Sequence, residues 1–210
     1  MKDYIHFYGS DFSELFAIER SAMDRQGKVI DFLNSNLPSG RILDIGAGNG
    51  FTASRLLGPD RQVICVEPSD TMPDFSLPLT WVQATAETLP FHQGYFDAAY
   101  STWAYFLAGV NKEPGLKQAS RVVRPGGRLI IVDNAGEDEF SSFASDNIVS
   151  DSQWYLDRGF ECHIIETAFD FKTLQDAEKL MTAFFGEESM AGNVRLSYQY
   201  RVAAYVKSLD

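Results

Sequence analysis

The chain has 210 residues, of which 45% are hydrophobic and 22% charged, with a formal net charge of -11 at pH 7. That length suits one well-filled domain, and the composition excludes fibrous and disordered classes. The acidic balance argues against a general grip on DNA or RNA, which depends on concentrated Lys and Arg. No apolar run approaches the roughly 20 residues of a membrane helix, and MKDYIHFYGSDF lacks the apolar centre of a signal peptide, so a cytoplasmic protein is expected.

In chain order, DFSELFAIERSAMDRQGKVIDFLNSNL repeats apolar residues at helical spacing until Pro38, Ser39 and Gly40 stop it. RILDI then reads as a strand, NGFTASRLL as a helix, and QVICVE, LTWVQAT and YFDAAYST as three further strands. KEPGLKQASRVVRP is a helix ended by Pro125, Gly126 and Gly127, and GRLIIVDN a fifth strand. GEDEFSSFASDN is a loop or short helix, SDSQWYLDRG a helix closed by Gly159, FECHIIETAFDF a strand and LQDAEKLMTAFFG a helix. SYQYRVAAYVKS closes the series as a strand, expected at the edge of the sheet. Alternating strands and helices with apolar β-runs predict a parallel sheet covered on both faces. No internal repeat or low-complexity tract interrupts the series. The expected organisation is one domain over 1–210, with a helical lid at 1–40, a ligand-binding core at 41–134 and C-terminal strands and helices at 135–210.

The two cysteines, Cys65 and Cys162, lie in strand-like apolar runs, where packing accounts for them. His6, His92 and His163 are far apart and show no metal-ligand spacing, so no metal is expected.

The stretch from Asp44 to Gly50, DIGAGNG, follows the first strand and opens a helix. Its glycines clear side chains from the main chain, at the end of an α/β sheet where ligands bind. A dinucleotide fingerprint requires a third glycine where Phe51 stands, and no G-x-x-x-x-G-K-S/T is present. Asp44 at the head of the glycines suits a ligand carrying a cationic amine. Glu67, at the end of the second strand, is placed to accept hydrogen bonds from both hydroxyls of a ribose.

DIGAGNG, VEPSDTM, ATAETLPF, FDAAYS and RVVRPGGRLIIVD, in that order, resemble the class I S-adenosylmethionine-dependent methyltransferases, in particular the small-molecule branch of ubiquinone/menaquinone biosynthesis enzymes. The resemblance covers roughly residues 28 to 134. It implies a Rossmann-like, doubly wound α/β fold with a mostly parallel seven-stranded sheet and one antiparallel strand near the C-terminus. The implied cofactor is S-adenosyl-L-methionine, with S-adenosyl-L-homocysteine as product. The implied binding residues are Asp44, Gly46, Ala47, Gly48 and Gly50 for the methionine part, Glu67 and Pro68 at the ribose, and Met72 on the adenine. Thr85, Ala86, Glu87 and Ser101 complete the set. Thr85 replaces the aspartate the family uses at the adenine amino group. Pro73 is expected to remove the helix that follows the second strand.

Methyl transfer from a sulfonium is an in-line displacement in which alignment supplies much of the rate. The expected acceptor is a small molecule, because AYSTWA follows the fourth strand where enzymes that methylate adenine or glutamine amino groups carry Asn-Pro-Pro-Tyr. Tyr4, Tyr8, Trp103, Tyr105 and Asn134 are the candidate pocket residues. His6, Tyr8, Tyr105 and Asp133 are conceivable bases, and none is assigned. A non-catalytic S-adenosylmethionine-binding protein of the same fold is the alternative, and the assembly is expected to be a monomer or homodimer.

Overall fold

The computed structural model describes residues 13–107 and 109–210. Its strands are β1 (Gly40–Ile45), β2 (Arg61–Glu67), β3 (Thr80–Gln83), β4 (Phe96–Thr102), β5 (Val123–Asn134), β6 (Glu161–Asp170) and β7 (Ser197–Ser208). Its α-helices are α1 (Ser13–Ala22), α2 (Lys28–Asn36), α3 (Phe51–Leu56), α4 (Glu113–Val122), α5 (Ser152–Leu156), α6 (Leu174–Phe185) and α7 (Glu187–Met190). The strands form one seven-stranded sheet in the order β3-β2-β1-β4-β5-β7-β6. All neighbours are parallel except β7, which runs antiparallel to both β5 and β6.

The period of two in the strands divides the core into two layers. Ile42, Val63, Ala98, Ile130 and Val202 face one side, where Leu33 of α2, Leu56 of α3 and Leu180 of α6 pack on them. Leu43, Ile64, Ala99, Leu129 and Ala203 face the other, against Leu116 of α4 and Tyr155 of α5. Both faces of the sheet are therefore covered, as the apolar β-runs required. The order reverses at β1, whose neighbours are β2 and β4, so the ends of β1 and β4 frame the crevice where such sheets bind ligands.

Three local expectations are corrected. The last strand is not at the edge: β7 lies between β5 and β6, and β6 is the edge. Val202 to Tyr205 are buried in succession and need a partner on each side, whereas β6 keeps exposed residues that an edge tolerates. The helix before the fifth strand ends at Val122, and Val123 already pairs with Phe96 across a register shift that expels residues 124–127. The N-terminal helical stretch is broken in two around Asp24, whose φ is 50°. No helix forms between β2 and β3, as Pro73 predicts.

The break has a structural use. Met23 bridges Phe169 and the Asp24 amide donates to the Ala168 carbonyl at 3.0 Å, which covers part of the β6 edge. The Asp24 carboxylate caps α2, accepting from the amides of Lys28 at 3.1 Å and Val29 at 2.8 Å and from Thr167 Oγ1 at 2.7 Å. Among the described residues no helix is long and apolar enough to cross a membrane. Removing the cap in Asp24→Ala should lower unfolding free energy by about 1 to 2 kcal/mol. Urea denaturation tests this, and an unchanged midpoint would refute the cap.

Candidate functional site

β1 runs out at Ile45, and the chain turns back onto β2: the amides of Gly46 and Ala47 both donate to the Val66 carbonyl, at 2.9 and 3.0 Å. Gly46 and Gly48 hold φ of 76° and 56°, where other residues are strained. At Gly46 an added Cβ would lie 2.4 Å from Ala104 Cβ, so the loop touches the turn after β4. At Gly48 an added Cβ would stand 3.4 Å from Phe16 of α1 and 3.7 Å from Met72. The methionine expected over the adenine is thus beside the loop.

Two carboxylates converge there. Glu67 Oε2 accepts the Gly48 amide and Oε1 the Ser69 amide, both at 2.9 Å. Burial raises the pKa of Glu67, against the pull of those two amides. Asp44 is 1% exposed; its Oδ2 accepts from Tyr100 Oη at 2.8 Å, and its Oδ1 has no hydrogen-bond partner among the described residues. Burial pushes Asp44 up to about 7, opposed by the Tyr100 hydroxyl and reinforced by the nearby Glu67 charge. An unmatched buried carboxylate oxygen beside a side-chain-free loop fits a ligand that brings a cationic amine.

The remaining expected cofactor residues stand in differing environments. Ser101 is buried and donates to the Ile45 carbonyl at 2.8 Å, tying β4 to the end of β1. Thr85 is exposed, paired with Thr88 at 3.0 Å, and Glu87 is exposed, while Ala86 is buried in the second core layer. Pro68 is exposed, and its carbonyl accepts from Gln83 Nε2 at 3.2 Å.

Trp103 follows β4 with φ of 46°, an outlying conformation for so bulky a residue. Its amide donates to Val132 O at 2.9 Å, and its Nε1 donates to Tyr200 Oη at 2.7 Å. The Tyr200 hydroxyl in turn donates to Asn134 Oδ1, and Asn134 Nδ2 to Ile148 O at 2.9 Å. The Arg20 guanidinium lies 5.4 Å from the Trp103 ring. Trp103 borders two cavities. One of about 430 Å³ is lined by Arg20, Arg25, Arg55, Lys172 and Phe51. The other, of about 300 Å³, is bounded by Asn134, Phe140, Phe184, Phe185, Tyr200 and Glu19.

Of the expected pocket residues, the fold thus brings together Trp103 and Asn134. Tyr105 stands apart from both cavities, its ring against Gly115 and its hydroxyl on the Asn111 carbonyl at 2.9 Å. Tyr4, Tyr8 and His6 lie outside the described residues. Asp133 is buried, with Oδ2 unpartnered among the described residues and its pKa raised by burial to about 7. Sequence reasoning missed Glu19 and Tyr200. A signal existed for Glu19: it stands four residues after Leu15 and three before Ala22, on the apolar face of α1.

The methyltransferase domain family matches residues 43–131. Among curated relatives, the ubiquinone/menaquinone biosynthesis C-methyltransferase UbiE of Pseudomonas putida is 32% identical over 146 residues, covering 62% of this chain and 56% of that protein. The chain therefore aligns with only about half the length of such relatives. Among solved structures, a Thermotoga maritima S-adenosylmethionine-dependent methyltransferase, described as a possible histamine N-methyltransferase, superposes with a TM-score of 0.63 at 21% identity, over 97% of each chain. A Haemonchus contortus phosphoethanolamine N-methyltransferase, solved with S-adenosylhomocysteine, gives 0.60 at 18% identity, over 96% of this chain and 59% of that one. The two structural likenesses establish the fold. The glycine loop and the sheet order agree with the domain match, so residues 43–131 are similar to a methyltransferase domain.

Proposed function

We propose that this protein transfers a methyl group from S-adenosylmethionine to a small-molecule acceptor by in-line displacement. The observation that carries the reading is the unmatched Oδ1 of Asp44 next to a glycine loop clamped by Glu67. When bound, the cofactor supplies an electrophilic methyl group on a sulfonium, so the chain needs no nucleophile of its own. Asp44 would hold the ammonium of the methionine part. Glu67 would accept from the ribose, each oxygen keeping a lone pair beyond the amide it already binds. Met72 would pack on the adenine, and Thr85 would offer its hydroxyl at the adenine edge. The acceptor would enter from the Trp103 side, since Ala104, its neighbour, abuts Gly46. Phe16 stands over Gly48, so α1 would move to admit the cofactor and then close water out. An acidic chain with a cavity of about 300 Å³ suits a small molecule better than a nucleic acid.

S-adenosylhomocysteine should bind at micromolar strength or better and raise the melting temperature. Since burial holds Asp44 at about 7, the carboxylate that the ammonium requires is only partly charged at neutrality. Binding should release a proton near pH 7, and affinity should strengthen from about pH 6 to about pH 8, because the group must lose its proton to pair with the cation. Calorimetry in buffers of different ionisation enthalpy measures that release, and Asp44→Asn should abolish it. Absence of binding at millimolar ligand would overturn the cofactor reading.

Trp103→Ala separates acceptor from cofactor. Cofactor affinity should stay within a few fold, while transfer of labelled methyl to fractionated metabolites should fall about a hundredfold through lost alignment. The half-buried, strained Trp103 should cost less than the roughly 3 to 5 kcal/mol of a core tryptophan. A parallel loss of cofactor affinity would refute the division, and cofactor binding without any labelled product from the intact protein would leave the non-catalytic alternative.

A further inference from the structure

Among the described residues, the cavity of about 300 Å³ beside Trp103 holds one buried carboxylate with an unpartnered oxygen. Glu19 is 4% exposed, lines this cavity, and has no partner for Oε2 among the described residues. Its other oxygen, Oε1, lies 3.9 Å from Arg20 Nη2, too far for a hydrogen bond, and Arg20 itself donates to Met23 Sδ at 3.1 Å. Arg20 therefore balances part of the charge and leaves Oε2 unmade. A buried carboxylate in that condition is destabilising unless a donor arrives.

The rest of the wall selects the donor. Asp146 stands at the exposed rim, and no described lining residue is a Lys or Arg. Trp103, Phe140, Phe184, Phe185 and Tyr200 supply rings, with Trp103 and Tyr200 stacked at 6.4 Å between centroids. Aromatic faces attract cations and stack on planar ligands. Among the described residues, the buried carboxylate with a free oxygen in the cavity is thus surrounded by groups that favour a cationic, flat molecule and oppose an anion.

Placement ties this cavity to the cofactor loop. Phe16 and Glu19 are one turn apart on α1, the first over Gly48 and the second in the cavity. Trp103 forms the wall between, next to the Ala104 that touches Gly46. We propose that this cavity is the acceptor site and that it takes an aromatic amine, bound as the ammonium on Glu19 with the ring against Trp103 and Tyr200; the ammonium gives a proton to the Glu19 carboxylate, the freed nitrogen lone pair forms the N–CH3 bond as the S–CH3 bond of the cofactor breaks, and S-adenosylhomocysteine leaves. This rests on the methyltransferase reading and names its acceptor class.

The test uses the full chain with three probes of one shape: 2-phenylethylammonium, 2-phenylethanol and 3-phenylpropanoate, titrated with and without saturating S-adenosylhomocysteine. The ammonium should bind at least about tenfold more tightly than the alcohol, the lower range for a hydrogen bond to a charged group, and the carboxylate least. Glu19→Gln should bring the ammonium and the alcohol within about threefold of each other while leaving S-adenosylhomocysteine affinity unchanged, and should raise the melting temperature by removing an unpaired buried charge. Equal binding of alcohol and ammonium to the intact protein, or a preference that survives Glu19→Gln, would overturn the proposal. If Glu19→Gln does not fold, the selectivity of the intact protein decides alone. Binding of S-adenosylhomocysteine without ammonium selectivity would refute the acceptor class and spare the cofactor reading; ammonium selectivity without S-adenosylhomocysteine binding would do the reverse.

Discussion

The glycine loop has few side chains of its own to hold it, so its shape depends on a carboxylate borrowed from the next strand. Glu67 at the end of β2 accepts the Gly48 amide, while the Val66 carbonyl beside it accepts those of Gly46 and Ala47. β2 therefore writes the conformation of a loop that belongs to β1. The parallel pairing that sets Ile45 against Val66 brings the partners into reach. A loop without Glu67 would lose its clamp and, with it, the acceptor proposed for the ribose, so structure and proposed ligand recognition meet at this residue.

The second organising element is α1, which lies across the end of the sheet. Phe16 reaches the glycine loop, Arg20 stacks near Trp103, and Glu19 enters the aromatic cavity. The strained Trp103 is held from three sides, by the Val132 carbonyl, the Tyr200 hydroxyl and Arg20. Such over-determination lets a sparsely allowed backbone persist. Among the described residues, Asp44, Glu19 and Asp133 each keep an unpartnered buried oxygen, and all three sit at or near the carboxyl ends of the strands. Local rules are broken around the proposed site, and the two-layer core offsets the cost.

Sheet, layers and loop were legible because their causes are local. Apolar β-runs such as QVICVE signal strands buried on both faces, and a strand followed by alternating glycines signals a bare main chain. Phe51 in place of a glycine excluded the dinucleotide geometry, and Pro73 foretold the missing helix after β2. The antiparallel strand came from the family resemblance.

What stayed hidden arises from contacts far apart in the chain. The place of β7 depends on competition between strands for both sides of an apolar run, which no window of sequence displays. The break at Asp24 has its partner in Thr167, 143 residues away. Tyr105 and Trp103 are two residues apart in one aromatic stretch, yet one packs on Gly115 and the other borders the cavities. The amino-acid order alone determined an α/β sheet with a glycine loop headed by Asp44, since periodicity and backbone freedom are properties of neighbouring residues. Only the tertiary structure decided that Glu19 meets Trp103, Tyr200 and Asn134 around one cavity, because burial without a partner is a property of the packed chain and not of any segment of it.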